Sequence, residues 1–183
     1  MKTLQDEFMA ISLPHDLITA ISYIYEPAGM KLTSAAVSES ESIEYGACRF
    51  GINGHNTVFR VAKITPTKIG QFVTIWKRPT VGGEIAPLDV SDGVTFVIII
   101  VSDEIHRGQF IFNREILVAK DIMSRDGKGG KRGIRVYPPW TNPVAKAALK
   151  TQRWQLQYFL PIAINGGVDL VRVLELFSEL SPK

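Results

Sequence analysis

Residues 94–101 read VTFVIIIV, a run of eight residues with no charge and one hydroxyl. It is too short to cross a membrane, which takes about 20 apolar residues as a helix. It is β-branched along nearly its whole length, and a strand apolar at successive positions must be covered on both faces. This segment is the expected central strand, and the chain must supply layers for each side of it. On its C-terminal side, residues 108–112 read as a further strand, 114–120 as a short strand or helical turn, and 133–137 as a later strand stopped by Pro138-Pro139. Residues 143–159 carry an apolar stripe with a basic edge, giving a helix that Pro161 should end, and spacing after Gly167 predicts a final helix.

Towards the N-terminus, Leu17, Ile18, Ile21, Ile24 and Tyr25 recur at helical spacing after Pro14. Residues 33–42, rich in Thr, Ser and Glu, read as a loop in which Ser38 and Glu41 form a capping box. A second helix would then run to Phe50 and end at Gly51-Ile52-Asn53-Gly54. Residues 57–64 and 71–77 read as adjacent antiparallel strands, and a Gly/Pro-rich connector, 80–93, leads to the central strand. The expectation is one α/β domain over residues 1–183, an α+β arrangement in which a mixed sheet is flanked by helices.

Composition narrows the function classes. Of the 183 residues 45% are hydrophobic, enough for a core without disulfides. The single Cys48 fits a reducing compartment, and Asp6 and Glu7 stand where a secretory signal would be apolar, so a cytoplasmic location is expected. The net charge of +3 is unevenly spread. Residues 1–59 hold three cations against seven carboxylates, residues 60–78 hold five cations and no carboxylate, and residues 120–135 hold six cations against two. Clustered cations repel one another, so one face of the protein is expected to meet an anionic partner.

His15, His55, His106 and Cys48 lack the short spacings of zinc modules. The segment from Asp126 to Arg132 has Arg125 and Arg132 where a phosphate-binding Walker loop needs glycine and a hydroxyl, and there is no Gly-x-Ser-x-Gly elbow. No metal or cofactor is assigned on this basis. What remains is interleaving of cations with aromatics: Lys128, Lys131, Arg132 and Arg135 precede Tyr137 and Trp140, and Thr65, Thr67 and Lys68 form a hydroxyl-rich turn. Lys146, Lys150, Arg153 and Gln157 line one edge of the long helix. Phosphate contacts are expected from Arg60, Lys63, Thr65, Thr67, Lys68, Lys77, Arg78, Lys128, Lys131, Arg132, Arg135, Lys150 and Arg153. The glycine-rich loop 124–133 should be exposed and mobile until an anion orders it.

The blocks AKITPTKIGQFVTIWKR (62–78), GQFIFNREIL (108–117) and GKRGIRVYPPW (130–140), flanked by ESIEYGACRF (41–50) and KTQRWQLQYF (150–159), closely resemble the MepB family over about residues 38–160. Asn113 departs from the family pattern, which has a proline followed by lysine there. The resemblance implies a bacterial protein with a restriction-endonuclease-like, or PD-(D/E)XK, fold and through it an affinity for DNA or RNA. Nucleases of that fold hold Mg²⁺ or Mn²⁺ with carboxylates on adjacent strands beside a lysine. Lys63 and Lys77 have Val61 and Ile75 two positions before them, where that carboxylate would stand. A non-catalytic nucleic-acid binder is therefore the leading expectation. The enzyme alternative is a nuclease that uses Glu44 and Asp92 with Lys63 or Lys77. A binder of a small phosphorylated ligand or of a protein partner is the third class.

Overall fold

The computed structural model describes residues 13–178. Its main layer is a six-stranded mixed sheet in the order β1-β2-β3-β6-β7-β9, formed by Leu32–Ser38, Cys48–Ile52, His55–Val61, Phe96–Ser102, Arg107–Asn113 and Phe159–Ile162. The run at 94–101 becomes β6, flanked by parallel β3 and antiparallel β7, and residues 96–101 are buried. Parallel neighbours need a long crossover. Here the crossover carries β4 (Lys63–Thr65) and β5 (Lys68–Thr74), which form a second sheet, β4-β5-β8, with the later strand Gly133–Val136. Gln71 ties this sheet to the end of β6 by donating to the Ser102 carbonyl.

Helices cover both faces of the large sheet. On one side α1 (His15–Ala20), continued by a π turn to Tyr25, meets α4 (Leu170–Leu176) through Tyr25 and Phe177, and Phe177 packs on Phe96 at 5.1 Å. On the other side α2 (Arg114–Ala119) follows β7, and α3 (Lys146–Gln155) packs Trp154 on Phe112 at 5.3 Å. Alternate residues of β6 and β7 serve these two layers, as the period-2 geometry of strands requires. Asn113 caps α2 by accepting from the Ile116 amide. Cys48 is buried, and burial raises the pKa of its thiol, as expected of a core cysteine. Among the described residues no helix is long and apolar enough to cross a membrane.

Three readings are corrected. The helix expected to end at Phe50 is instead β1, a 3₁₀ turn (Ile43–Tyr45) and β2. Asn53 and Gly54, with φ of 47° and 79°, form the two-residue turn of the β2–β3 hairpin, in which Ile52 faces His55. Asn-Gly between apolar stretches is the strongest short hairpin signal, and it prevails over a capping box that does not form. Second, the strand expected at 57–64 is two strands in different sheets, β3 and β4. Third, α3 stops at Gln155 and the chain becomes β9, where Pro161 is tolerated because β9 is an edge strand.

Candidate phosphate-binding cleft

The small sheet has two chemically different faces. Val73, Ile75, Ile134 and Val136 are buried on its inner side. Lys63, Phe72 and Arg135 are cross-strand partners, so their side chains share the other side. There the Lys63 ammonium lies 4.7 Å from the centre of the Tyr45 ring, and the Arg135 guanidinium 5.9 Å from that of Phe72. Arg135 also donates to the Thr65 hydroxyl at 3.0 Å, which fixes the β4–β5 turn against β8.

β8 is an edge strand, and its free edge is met by a side chain. The Gln155 amide, buried on α3, accepts from the Tyr137 N–H at 2.9 Å and donates to the Arg135 carbonyl at 3.0 Å. These two bonds occupy positions that a neighbouring strand would fill, and they hold α3 alongside β8. Between the two elements is a cleft of about 440 Å³. Lys120, Lys131, Arg135 and Lys150 line it with Tyr137, Thr151 and Trp154, and no carboxylate does. Lys120, Lys131 and Lys150 make no ion pair with another described residue. Lys120 rests over the Trp154 ring, 5.7 Å from its centre. Uncompensated like charges converging on one concavity are favourable only when an anion enters.

The loop at 124–133 is exposed along most of its length, but it is fastened from within. Asp89 accepts from the Ser124 hydroxyl, the Gly127 amide and both the amide and hydroxyl of Ser91. Arg125 and Lys128 exchange backbone bonds across Asp126-Gly127, and Lys131 N–H bonds to Ile122. The exposure expected of this loop is present; its internal anchor is not legible in the sequence, because the sequence signal is glycine content and the anchor is a carboxylate some 35 positions earlier in the chain. The hydrogen bond from Ser124, with those from Ser91 and Gly127, holds the Asp89 carboxyl far below its ordinary range. A depressed folded-state value means that this contribution to stability is complete above the unfolded value near 4 and is lost as pH falls below it. Asp89→Asn should lower the melting temperature at pH 7 and flatten the loss of stability between about pH 4 and 2, measured by thermal unfolding across pH.

The structure separates the expected phosphate contacts into groups. Lys131, Arg135 and Lys150 enter the cleft. Thr65, Thr67 and Lys68 form the neighbouring β4–β5 turn, with Lys68 exposed and Thr65 engaged by Arg135. Lys63, Lys128, Arg132 and Arg153 are exposed outside the cleft lining. Three residues are withdrawn. Arg60 is 1% exposed, bonds to the Thr74 and Phe59 carbonyls and pairs with Glu39 at 2.9 Å. Lys77 pairs with Asp92 at 2.5 Å, and Arg78 pairs with Glu41 at 2.7 Å while donating to the Gly83 carbonyl. Trp140 stacks on His106 at 4.9 Å and packs against Phe159, so it is a packing residue outside the cleft.

The nuclease set is not assembled as the alternative required. Asp92 gives one oxygen to Lys77 and the other to the Asp89 amide, in a capping box that starts a 3₁₀ turn. Glu44 is exposed beside Tyr45. Among the described residues no three His, Cys, Asp or Glu side chains converge to hold a metal. Sequence reasoning missed Lys120 and Trp154 as site residues. Trp154 stands four positions after Lys150 on α3, the spacing that puts two side chains on one helix face.

A family model described as MepB-like matches residues 39–161, within a residue of the span expected from the sequence blocks. The chain belongs to the MepB-like family. The crystal structure of MepB superposes with a TM-score of 0.68 at 34% identity, covering 81% of this chain and 97% of that one. No curated protein matches. The MepB-like span takes in the small sheet, the large sheet from β2 into β9 and every residue of the cleft, whereas β1, α1 and α4 lie outside it.

Proposed function

We propose that this MepB-like protein binds nucleic acid through its phosphates, at the cleft between β8 and α3 and along the adjacent outer face of the small sheet. The observation that carries the reading is the lining itself: four cations and two aromatic rings around one cavity with no carboxylate. Phosphate contacts of this kind give affinity without base readout, and aromatic walls accept any base. Lys63, Lys68 and Arg132 extend the contact surface beyond the cleft. A restriction-endonuclease-like relationship is part of the proposal, supported by the central parallel β3–β6 pair in a mixed sheet between helical layers. So is a cytoplasmic setting, which suits a single buried cysteine.

Fluorescence titration with single-stranded and duplex oligonucleotides at low salt tests the reading. Replacing Lys120, Lys131 and Lys150 together by alanine should weaken binding by roughly 10- to 100-fold and reduce the salt slope by about 0.7 to 0.9 for each phosphate no longer neutralised. The melting temperature should stay within about 2 °C, because exposed unpaired charges add little stability. Absence of binding to either form, or an unchanged slope in the triple variant, overturns the proposal. Incubating plasmid with the protein and Mg²⁺ or Mn²⁺ tests the nuclease reading in parallel; cleavage abolished by Asp92→Asn would establish it.

A further inference from the structure

We infer that the cleft receives the phosphorylated end of a single strand, with the terminal phosphate among Lys120, Lys131, Arg135 and Lys150 and its base against Trp154 and Tyr137. This rests on the phosphate-binding reading above and specifies its ligand. Three features of the cleft point to a strand end in preference to continuous backbone.

The first is shape. The cations line a half-open concavity of about 440 Å³ between β8 and α3, which Gln155 holds together. A duplex presents its phosphates on a convex cylinder and is met best by side chains standing above a surface. A cavity of this size lies in the range that takes small molecules, and its charges are best reached by a nucleotide at a strand end. The second is charge. Four cations without a carboxylate surround one cavity. A phosphodiester brings a single negative charge, whereas a phosphomonoester brings about 1.5 to 2 near neutrality and three strong acceptor oxygens. The terminal group therefore offers these four cations more charge and one more acceptor oxygen than an internal phosphate does.

The third is the wall. Trp154 is packed from behind by Phe112 at 5.3 Å and Tyr158 at 6.5 Å, so its ring is held rigidly, yet it remains partly exposed in the cleft. The Lys120 ammonium over that ring marks a face open to a ligand. A stacking base would take its place and release the ammonium towards the phosphate. Base stacking on an aromatic side chain contributes about 1 to 3 kcal/mol, the equivalent of roughly 5- to 150-fold in affinity.

The experiment compares one internally labelled 12-nucleotide strand in three forms, with a 5′ phosphate, a 3′ phosphate or two hydroxyl ends, by fluorescence anisotropy at about 50 mM salt. One phosphorylated form should bind at least about 10-fold more tightly than the hydroxyl form. Lys131→Ala and Lys150→Ala should each shrink that preference, and Trp154→Leu should weaken the preferred form by about 5-fold or more. Since Lys131 and Lys150 are exposed, their variants test the proposal even if Trp154→Leu fails to fold. Equal affinity for all three forms, with normal salt dependence, overturns the strand-end inference and leaves the phosphate-binding reading standing. No binding of any form overturns both.

Discussion

Arg60→Ala should cost about 3–5 kcal/mol of folding stability, which in a chain of this length lowers the melting temperature by roughly 6–20 °C. Arg60 links three parts of the molecule: it starts from β3, donates to the Thr74 carbonyl of β5 and pairs with Glu39 just beyond β1. Burial lowers the pKa of its guanidinium, and the facing Glu39 carboxylate opposes that effect. Removing the arginine leaves Glu39 with Arg49, which is partly exposed, and leaves the Thr74 carbonyl without this donor. An unpaired buried group is the costly outcome, so the double variant Arg60→Met with Glu39→Gln should recover much of the loss. Urea and thermal unfolding measure both. Nucleic-acid affinity of the folded single variant should equal that of the parent. A loss below about 1 kcal/mol combined with weakened binding would return Arg60 to the phosphate-contact set that its sequence neighbourhood suggests.

Gln155→Leu should cost about 2–4 kcal/mol, because the Tyr137 N–H and the Arg135 carbonyl would each lose a partner beside a side chain that is 1% exposed. The variant removes no charge, yet oligonucleotide affinity should also fall, since α3 carries Lys150 and Trp154 and would no longer be held against β8. Hydrogen exchange at the Tyr137 amide reads the mechanism directly: protection should disappear at that amide before it does so in β6. Unchanged melting temperature with Tyr137 still protected would show that α3 is held by its apolar packing on Phe112 alone.

These two residues show where sequence reasoning reaches and where it stops. β6 is legible because eight uncharged residues have few alternatives, and β7 and β8 follow from the same logic. The β2–β3 hairpin is equally legible in Asn53-Gly54, but the same two residues also suit the end of a helix, and weighing a capping box above the stronger turn signal produces the error. Arg60 misleads for a different reason. It stands between Phe59 and Val61, where a cation is ordinarily read as solvent-facing, and its carboxylate partner is 21 positions away. The cleft is half legible. Lys131, Arg135 and Lys150 stand out by local charge, but the convergence of Lys120, Lys131 and Lys150 from three elements depends on tertiary packing that no local pattern encodes. The family blocks mark the extent of the shared frame, 39–161, without its chemistry.

The pairing of β5 with β8 also sets an order of events during synthesis. Thr74 faces Gly133 and Gln71 faces Val136, so this half of the small sheet cannot form until nearly sixty further residues have been made. By contrast β1, β2 and β3 pair locally, and β6 can join β3 as soon as residue 102 is free. Contacts between distant residues form late because the intervening chain must first be ordered. On the ribosome, β5 would wait with one edge open while β6 and β7 assemble, and β8 followed by Gln155 would close the small sheet afterwards. The cationic cleft therefore comes into existence after most of the core, and a nascent chain still attached within α3 has no such site.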